Sequence, residues 1–162
     1  MRDQIIYASI LSLQCEGLKF SVDSLAKKLK ISKKTIYKYF PNKEQLALAI
    51  YERYYLDAGK QVQAILNAHE KDRNSKLLHL YYESMKMIRS EIFNKYQLNE
   101  VVLSYAKQQN AALWAIISDA LYHAESEKTK QALEIIISGA FEKLYDLQDD
   151  PDAVIERLVM LL

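Results

Sequence analysis

The strongest constraint on what this chain can fold into is the spacing of helix starts between Phe20 and Leu46, FSVDSLAKKLKISKKTIYKYFPNKEQL. Ser21 is flanked by Phe20 and Leu25, and Ser32 by Ile31 and Ile36. Each serine is placed to cap a helix, with the apolar pair forming a hydrophobic staple across the start. Asn42 follows Pro41 as a third cap, with Gln45 at the reciprocal capping-box position. Three starts in so short a stretch leave no room for long helices, so the middle helix, Lys33 to about Phe40, is held to about two turns. A helix that short is not stable alone and must be held by packing. Ile36 and Phe40, four residues apart, supply the face that packs back onto Leu25 and Leu29.

That packing turns Lys33, Lys34, Thr35, Tyr37, Lys38 and Tyr39 outward. From Lys27 to Lys43 the chain carries seven lysines and no carboxylate. A surface of one sign repels itself unless a polyanion is its partner. The wider charge distribution agrees. Residues 1–46 hold nine Lys and Arg against four Asp and Glu, or +5, and residues 47–162 hold thirteen against seventeen, or −4, giving the net +1. A basic first quarter on an acidic remainder is the asymmetry of a nucleic-acid-binding head, 1–46, carried on a body, 47–162.

The segment resembles the helix-turn-helix of the TetR family of bacterial transcriptional regulators, through Ser21, Val22, Leu25, Ala26, Ile31, Ser32, Tyr37, Tyr39, Phe40, Lys43, Glu44 and Leu46. Lys30 departs from the family pattern, which has Gly in this turn, where a left-handed residue is expected; a side chain there costs up to about 1 kcal/mol and adds a cation. In a helix-turn-helix the second helix lies in the major groove with its first turn nearest the bases. Lys33, Lys34 and Thr35 are therefore the candidates for base edges. The resemblance assigns Tyr37, Lys38 and Tyr39 mostly to phosphates. Lys43, at the start of the next helix, is a further phosphate clamp, and Ser21 with its first amides grips the opposite backbone wall.

Half of the residues are apolar, and only three glycines and two prolines interrupt the chain. With no sustained period-two alternation, the fold class is all-α: a three-helix head and an antiparallel helical body. The first helix spans about Arg2 to Glu16, with Ile6, Ile10 and Leu13 inward and Gly17 at its end. Cys15, the one cysteine, is expected to be a small buried hydrophobe near that end. The fourth helix runs from Lys43 to about Glu70. Three more are expected at Ser75 to about Lys95, Leu98 to Lys107 and Asn110 to about Glu125, and two last ones at Ser126 to Leu147 and Ala153 to Leu162.

The body is rich in aromatic and thioether side chains. Tyr51, Tyr55, Tyr81, Tyr82, Met85, Tyr105, Trp114 and Tyr122 are read either as core or as the lining of a cavity for a small-molecule effector. An effector pocket in this part of the chain is what the resemblance implies. The resemblance likewise points to a homodimer joined through the last two helices, by way of Ile136, Gly139, Ala140, Leu144, Ile155, Leu158, Val159 and Leu162, which would present two heads to a pseudo-palindromic site. His69, His79 and His123 fall into no metal-ligand spacing, and no phosphate-cradling glycine loop or nucleophile motif occurs. The expectation is a regulator that is not an enzyme and uses no metal or cofactor. No apolar run approaches a membrane span and no signal-peptide pattern is read, which points to the cytoplasm. Its partners would be double-stranded DNA, an effector and a second copy of itself. The alternative left open is a co-activator or adaptor of the same fold that works through protein contacts.

Overall fold

The computed structural model describes residues 1–17, 20–68, 70–122, 124–147 and 149–162, with the side chain of Ser90 set aside. Nine helices and no strand occur among the described residues: α1 (Arg2–Glu16), α2 (Val22–Lys28), α3 (Lys33–Tyr39), α4 (Lys43–Ala68), α5 (Arg73–Met87), α6 (Ser90–Tyr96), α7 (Glu100–Tyr122), α8 (Glu127–Leu147) and α9 (Asp152–Val159).

Local chemistry sets the first four starts and stops. Gly17 closes α1 at a φ of +51°, its N–H bonded to the Leu13 carbonyl. The Ser21 hydroxyl accepts from the Ser24 N–H at 3.0 Å, while the Ser24 hydroxyl accepts from the Ser21 N–H at 3.1 Å, closing a capping box over α2. Ser32 accepts from the Thr35 N–H at 3.0 Å at the head of α3, and Asn42 from the Gln45 N–H at 2.8 Å at the head of α4. The turn between α2 and α3 puts Lys30 in the left-handed region at φ +54°. α3 is anchored by Ile36 and Phe40, both buried together with Leu25 of α2. Burying side chains of that size contributes about 1.5–3 kcal/mol each, enough to hold a helix that would melt alone.

α4 is the spine. Its 26 residues extend about 39 Å, beginning beside α3 and running through the body. α1, α5 and α7 all pack along it, and α5 in turn carries α9. α8 is joined to α5 by Phe141, whose ring meets Tyr82 at 5.2 Å and Tyr81 at 6.1 Å. Arg89, just before α6, lies 3.8 Å from the Tyr145 ring of α8 and 3.5 Å from the Asp146 carboxylate.

The centre of the body holds a polar knot. Asn110 of α7 is buried, and its Oδ1 accepts from the Ser84 hydroxyl of α5 at 2.8 Å and from the Tyr55 hydroxyl of α4 at 3.4 Å. Among the described residues every buried side-chain nitrogen and oxygen has a partner, as a stable interior requires.

Three expectations need correction. The break after α5 falls at Ile88 and Arg89, not near Lys95. The segments 98–107 and 110–125 form one helix, α7, because Asn110 is bonded inside the core instead of capping a new helix; the start is supplied by Asn99, which accepts from the Val102 N–H at 3.0 Å. Cys15 is exposed on the last turn of α1 rather than buried.

Candidate nucleic-acid interface

α3 presents Lys33, Lys34, Tyr37, Lys38 and Tyr39 to solvent on one small rod, and Lys43 stands exposed at the start of α4 beside it. Lys34, Lys38 and Lys43 make no ion pair among the described residues, so their charge is open to an outside anion. Lys33 reaches Asp23 of α2 at 2.6 Å, but both side chains are more than half exposed. Such a surface pair contributes little and yields readily to a phosphate. Thr35 is half-buried, and its hydroxyl lies 2.9 Å from that of Ser32. Its methyl group is the part of the side chain left outside that contact. The Ser21 hydroxyl is committed to Ser24. The Arg2 guanidinium sits over the Phe40 ring at 5.3 Å, bracing the end of α3.

Lys30, the cation that the sequence adds in the turn, is exposed before α3. The geometry also adds residues that the sequence did not single out. On the side of α3 facing the body, Lys33, Tyr37, Ser21 and Lys43 share the rim of a cavity of about 330 Å³ with Ile92, Tyr96 and Leu98 from α6 and the segment after it. The Tyr96 hydroxyl donates to the Phe20 carbonyl, and the two rings meet edge to face at 5.8 Å. No local pattern marks Tyr96 for this role; the contact joins positions far apart in sequence.

The eight aromatic and thioether residues of the body are divided among three surroundings. Tyr51 lines the cavity beneath α3, donates to the Met87 carbonyl at 3.0 Å and stacks on Phe93. Tyr55 and Tyr105 reach a shallow groove between α4 and α7. Tyr81 stacks on Trp114 at 4.2 Å, Trp114 meets Tyr122 edge-on, and Tyr82 abuts Phe141, all within or against the core; Met85 is half-buried beside Ile88 and Arg89. Burial raises the phenol pKa of Tyr51, Tyr54 and Tyr55 well above the ordinary range and pushes that of Tyr81 up to about 12, although the Asn110 hydrogen bond acts to lower it. These phenols are neutral hydrogen-bonding groups at any physiological pH.

The last two helices are also divided. Leu144, Ile155 and Leu158 are buried in the protomer's own core, because α9 is amphipathic and finds α5 of its own chain to cover its apolar face. Ile136 and Gly139 face outward with Ile135 and Leu147, while Ala140, Val159 and Leu162 are half-buried. A Cβ built on Gly139 would meet nothing within 4 Å.

Among the described residues no cluster of His, Cys, Asp and Glu is arranged to hold a metal ion, and no helix is long and apolar enough to cross a membrane. His79 has both ring nitrogens engaged: Nδ1 lies 2.8 Å from the Ser75 carbonyl and Nε2 lies 2.9 Å from Asp152. His69 and His123 lie outside the described residues.

Comparison with known proteins agrees with this architecture. Residues 5–50 match the family model of bacterial regulatory proteins, tetR family. The whole chain superposes on the multidrug binding protein EbrR complexed with ethidium, at a TM-score of 0.54 and 17% identity, covering 99% of this chain and 98% of that one. A second EbrR structure, complexed with imidazole, gives 0.50 and 19%, covering 99% and 94%. No curated protein matches in sequence. Residues 5–50 of this chain thus match the tetR family of bacterial regulatory proteins, on a body that shares the all-helical fold of EbrR.

Proposed function

We propose that the protein is an effector-responsive repressor that binds a pseudo-palindromic operator as a homodimer in the cytoplasm, with residues 1–46 as the DNA-binding head and 47–162 as the body for effector and dimer contacts. The observation that carries this reading is the face of α3. It is a two-turn helix, capped at Ser32 and anchored by Ile36, whose outward side holds three lysines and two tyrosines, in a stretch from Lys27 to Lys43 without a carboxylate. Lysines at the first turn of such a helix read base edges, and those at its flanks neutralise phosphates. For the dimer, the support is the apolar stripe of Ile136, Gly139, Ala140 and Leu147 left at the surface of α8. A dimer paired there reads two half-sites one DNA turn apart if its two copies of α3 stand about 34 Å from each other. For a small-molecule effector, the support is the fold itself, which in EbrR accompanies ethidium.

Selection of bound fragments from genomic DNA, followed by anisotropy titration of the enriched duplex over a salt series, tests the reading. The expected result is an inverted-repeat site and a log–log salt slope of about −0.9 for each neutralised phosphate. Lys34→Ala should cost roughly 1–3 kcal/mol on the selected site and relax its sequence preference, whereas Lys43→Ala should weaken all duplexes alike. Binding without salt dependence, or none, would assign the head to protein contacts instead.

A further inference from the structure

The cavity beneath α3 has no role in the interface described above. It is walled by Leu13 and Phe20 from the first helix and its exit, Val22 of α2, Leu46, Ala47 and Ile50 of α4, and Ile92 of α6 with Leu98 beyond it. Its volume of about 330 Å³ falls within the range of small-ligand sites, and like them it is mainly apolar with a few polar groups. Its charged groups are Lys33, Lys43 and Asp23; Ser21, Tyr37, Tyr51 and Tyr96 add hydroxyls, of which those of Tyr51 and Tyr96 are already donated to the Met87 and Phe20 carbonyls. Asp23 is neutralised by Lys33 at 2.6 Å, so the rim carries a net charge of +1 centred on Lys43. An apolar pocket with one uncompensated ammonium at its mouth fits an amphipathic monoanion: an acyl or aryl body inside and a carboxylate at the rim.

The geometry points to this cavity as a binding site for a small apolar carboxylate, placed so that its occupant and DNA draw on the same lysine and tyrosine side chains. The inference rests on the proposed DNA-binding role of α3 only for its consequence, not for the site. A carboxylate at Lys43 and Lys33 removes the charge that a phosphate would meet. An acyl body against Tyr37 fixes that ring toward the cavity. The same occupant touches Ile92 and Tyr96, the elements of α6 that hold the head to the body through Phe20. DNA and ligand therefore disfavour each other, and by linkage each lowers the other's affinity by the same factor, expected at about 5-fold to 150-fold.

The test uses the full chain and three probes of one length: octanoate, octanol and octylammonium. Without DNA, octanoate should bind most tightly and octylammonium least, with methyl NMR shifts at Ile50, Ile92 and Leu98. Lys43→Gln should weaken octanoate by about 5-fold and leave octanol unchanged. Ala47→Phe, which fills the cavity, should abolish both; Leu98→Trp, off the helices, provides a second filling variant should Ala47→Phe fail to fold. Octylammonium binding as tightly as octanoate, methyl shifts confined to the groove at Leu56 and Ala64, or octanoate binding indifferent to both filling variants would overturn the site. A duplex affinity that octanoate does not change would overturn the coupling. Octanoate binding at these methyls in a protein that ignores DNA would uphold the site and sink the regulator reading alone, so the two failures are distinguishable.

Discussion

Lys30→Gly separates stability from affinity, because one side chain acts on both in opposite directions. At φ +54° the Lys30 Cβ crowds its own backbone, and relieving a left-handed non-glycine residue gains up to about 1 kcal/mol. Glycine also loosens the unfolded chain, which returns at least about 0.4 kcal/mol. The net expectation is a gain of no more than about 0.6 kcal/mol, or up to about 2 °C in Tm for a chain of this length. The backbone of the turn needs no other change, since the Lys30 and Ile31 N–H groups are already bonded to the Lys27 and Ala26 carbonyls at 3.1 and 3.0 Å. Affinity moves the other way. Lys30 is exposed and makes no ion pair among the described residues, so its removal takes one cation from the DNA side and should flatten the log–log salt slope by about 0.9. Scanning calorimetry and a salt series of anisotropy titrations read the two effects separately. A lowered Tm would refute the strain reasoning. An unchanged slope with a raised Tm would show that the turn faces away from the duplex.

Ile36→Ala should cost about 2–5 kcal/mol by opening a cavity under α3, seen as a lowered denaturant midpoint, and should reduce DNA affinity even where the rest of the chain stays folded. His79 is predicted to titrate above its ordinary 6.5: burial opposes the charged form, but the hydrogen bonds to Asp152 and to the Ser75 carbonyl, with the charges of Asp152 and Asp150, outweigh it. The folded pKa being the higher, the link between α5 and α9 contributes fully below about pH 6.5 and fades as pH rises through the folded value. Asp152→Asn should therefore lower both the NMR-measured pKa and the stability at pH 6, with little effect on stability at pH 9. Asn110→Ala should cost about 1–3 kcal/mol by stranding the buried Tyr55 hydroxyl, measured by urea unfolding, since the Ser84 hydroxyl keeps the Tyr81 carbonyl at 2.8 Å; Asn110→Asp should cost more because it buries a charge.

What was legible in the sequence was local chemistry. The Ser21, Ser32 and Asn42 caps, the α1 span from Arg2 to Glu16 and the left-handed turn at Lys30 all follow from short-range rules, and the structure shows each of them. What was not legible depended on partners distant in the chain. Asn110 looks like a helix starter until Tyr55 and Ser84 are brought to it, after which it sits in mid-helix at little cost. The aromatic residues of the body share a composition but not a place. Tyr81 and Trp114 satisfy each other by stacking, and Tyr51 is drawn toward α6 by Phe93 and the Met87 carbonyl. Sequence periodicity also cannot say whose surface covers α9, and the answer for Ile155 and Leu158 is α5 of the same chain.

The same distinction explains why the head can be held firmly and still be sensitive to the body. α3 has almost no stability of its own, so its position is set by what surrounds it, α2 through Leu25 above all, while α6 holds the segment just before α2 through the Tyr96–Phe20 contact. α6 is itself a seven-residue helix that ends in a left-handed residue, Gln97 at φ +51°, and is fastened to the spine by Phe93 stacked on Tyr51. Two marginal helices thus face each other across the cavity, with Leu46, Ala47 and Ile50 of the rigid α4 between them. A change in contacts at this place needs to supply only the small free energy that separates alternative settings of such short elements. By contrast, a ligand in the shallow groove at Tyr55 and Tyr105 would have to act through α4 and its packed neighbours, where displacement disturbs the bonded knot around Asn110. Among the described residues, contacts at the junction beneath α3 therefore act on the α3 lysines more directly than contacts in that groove do.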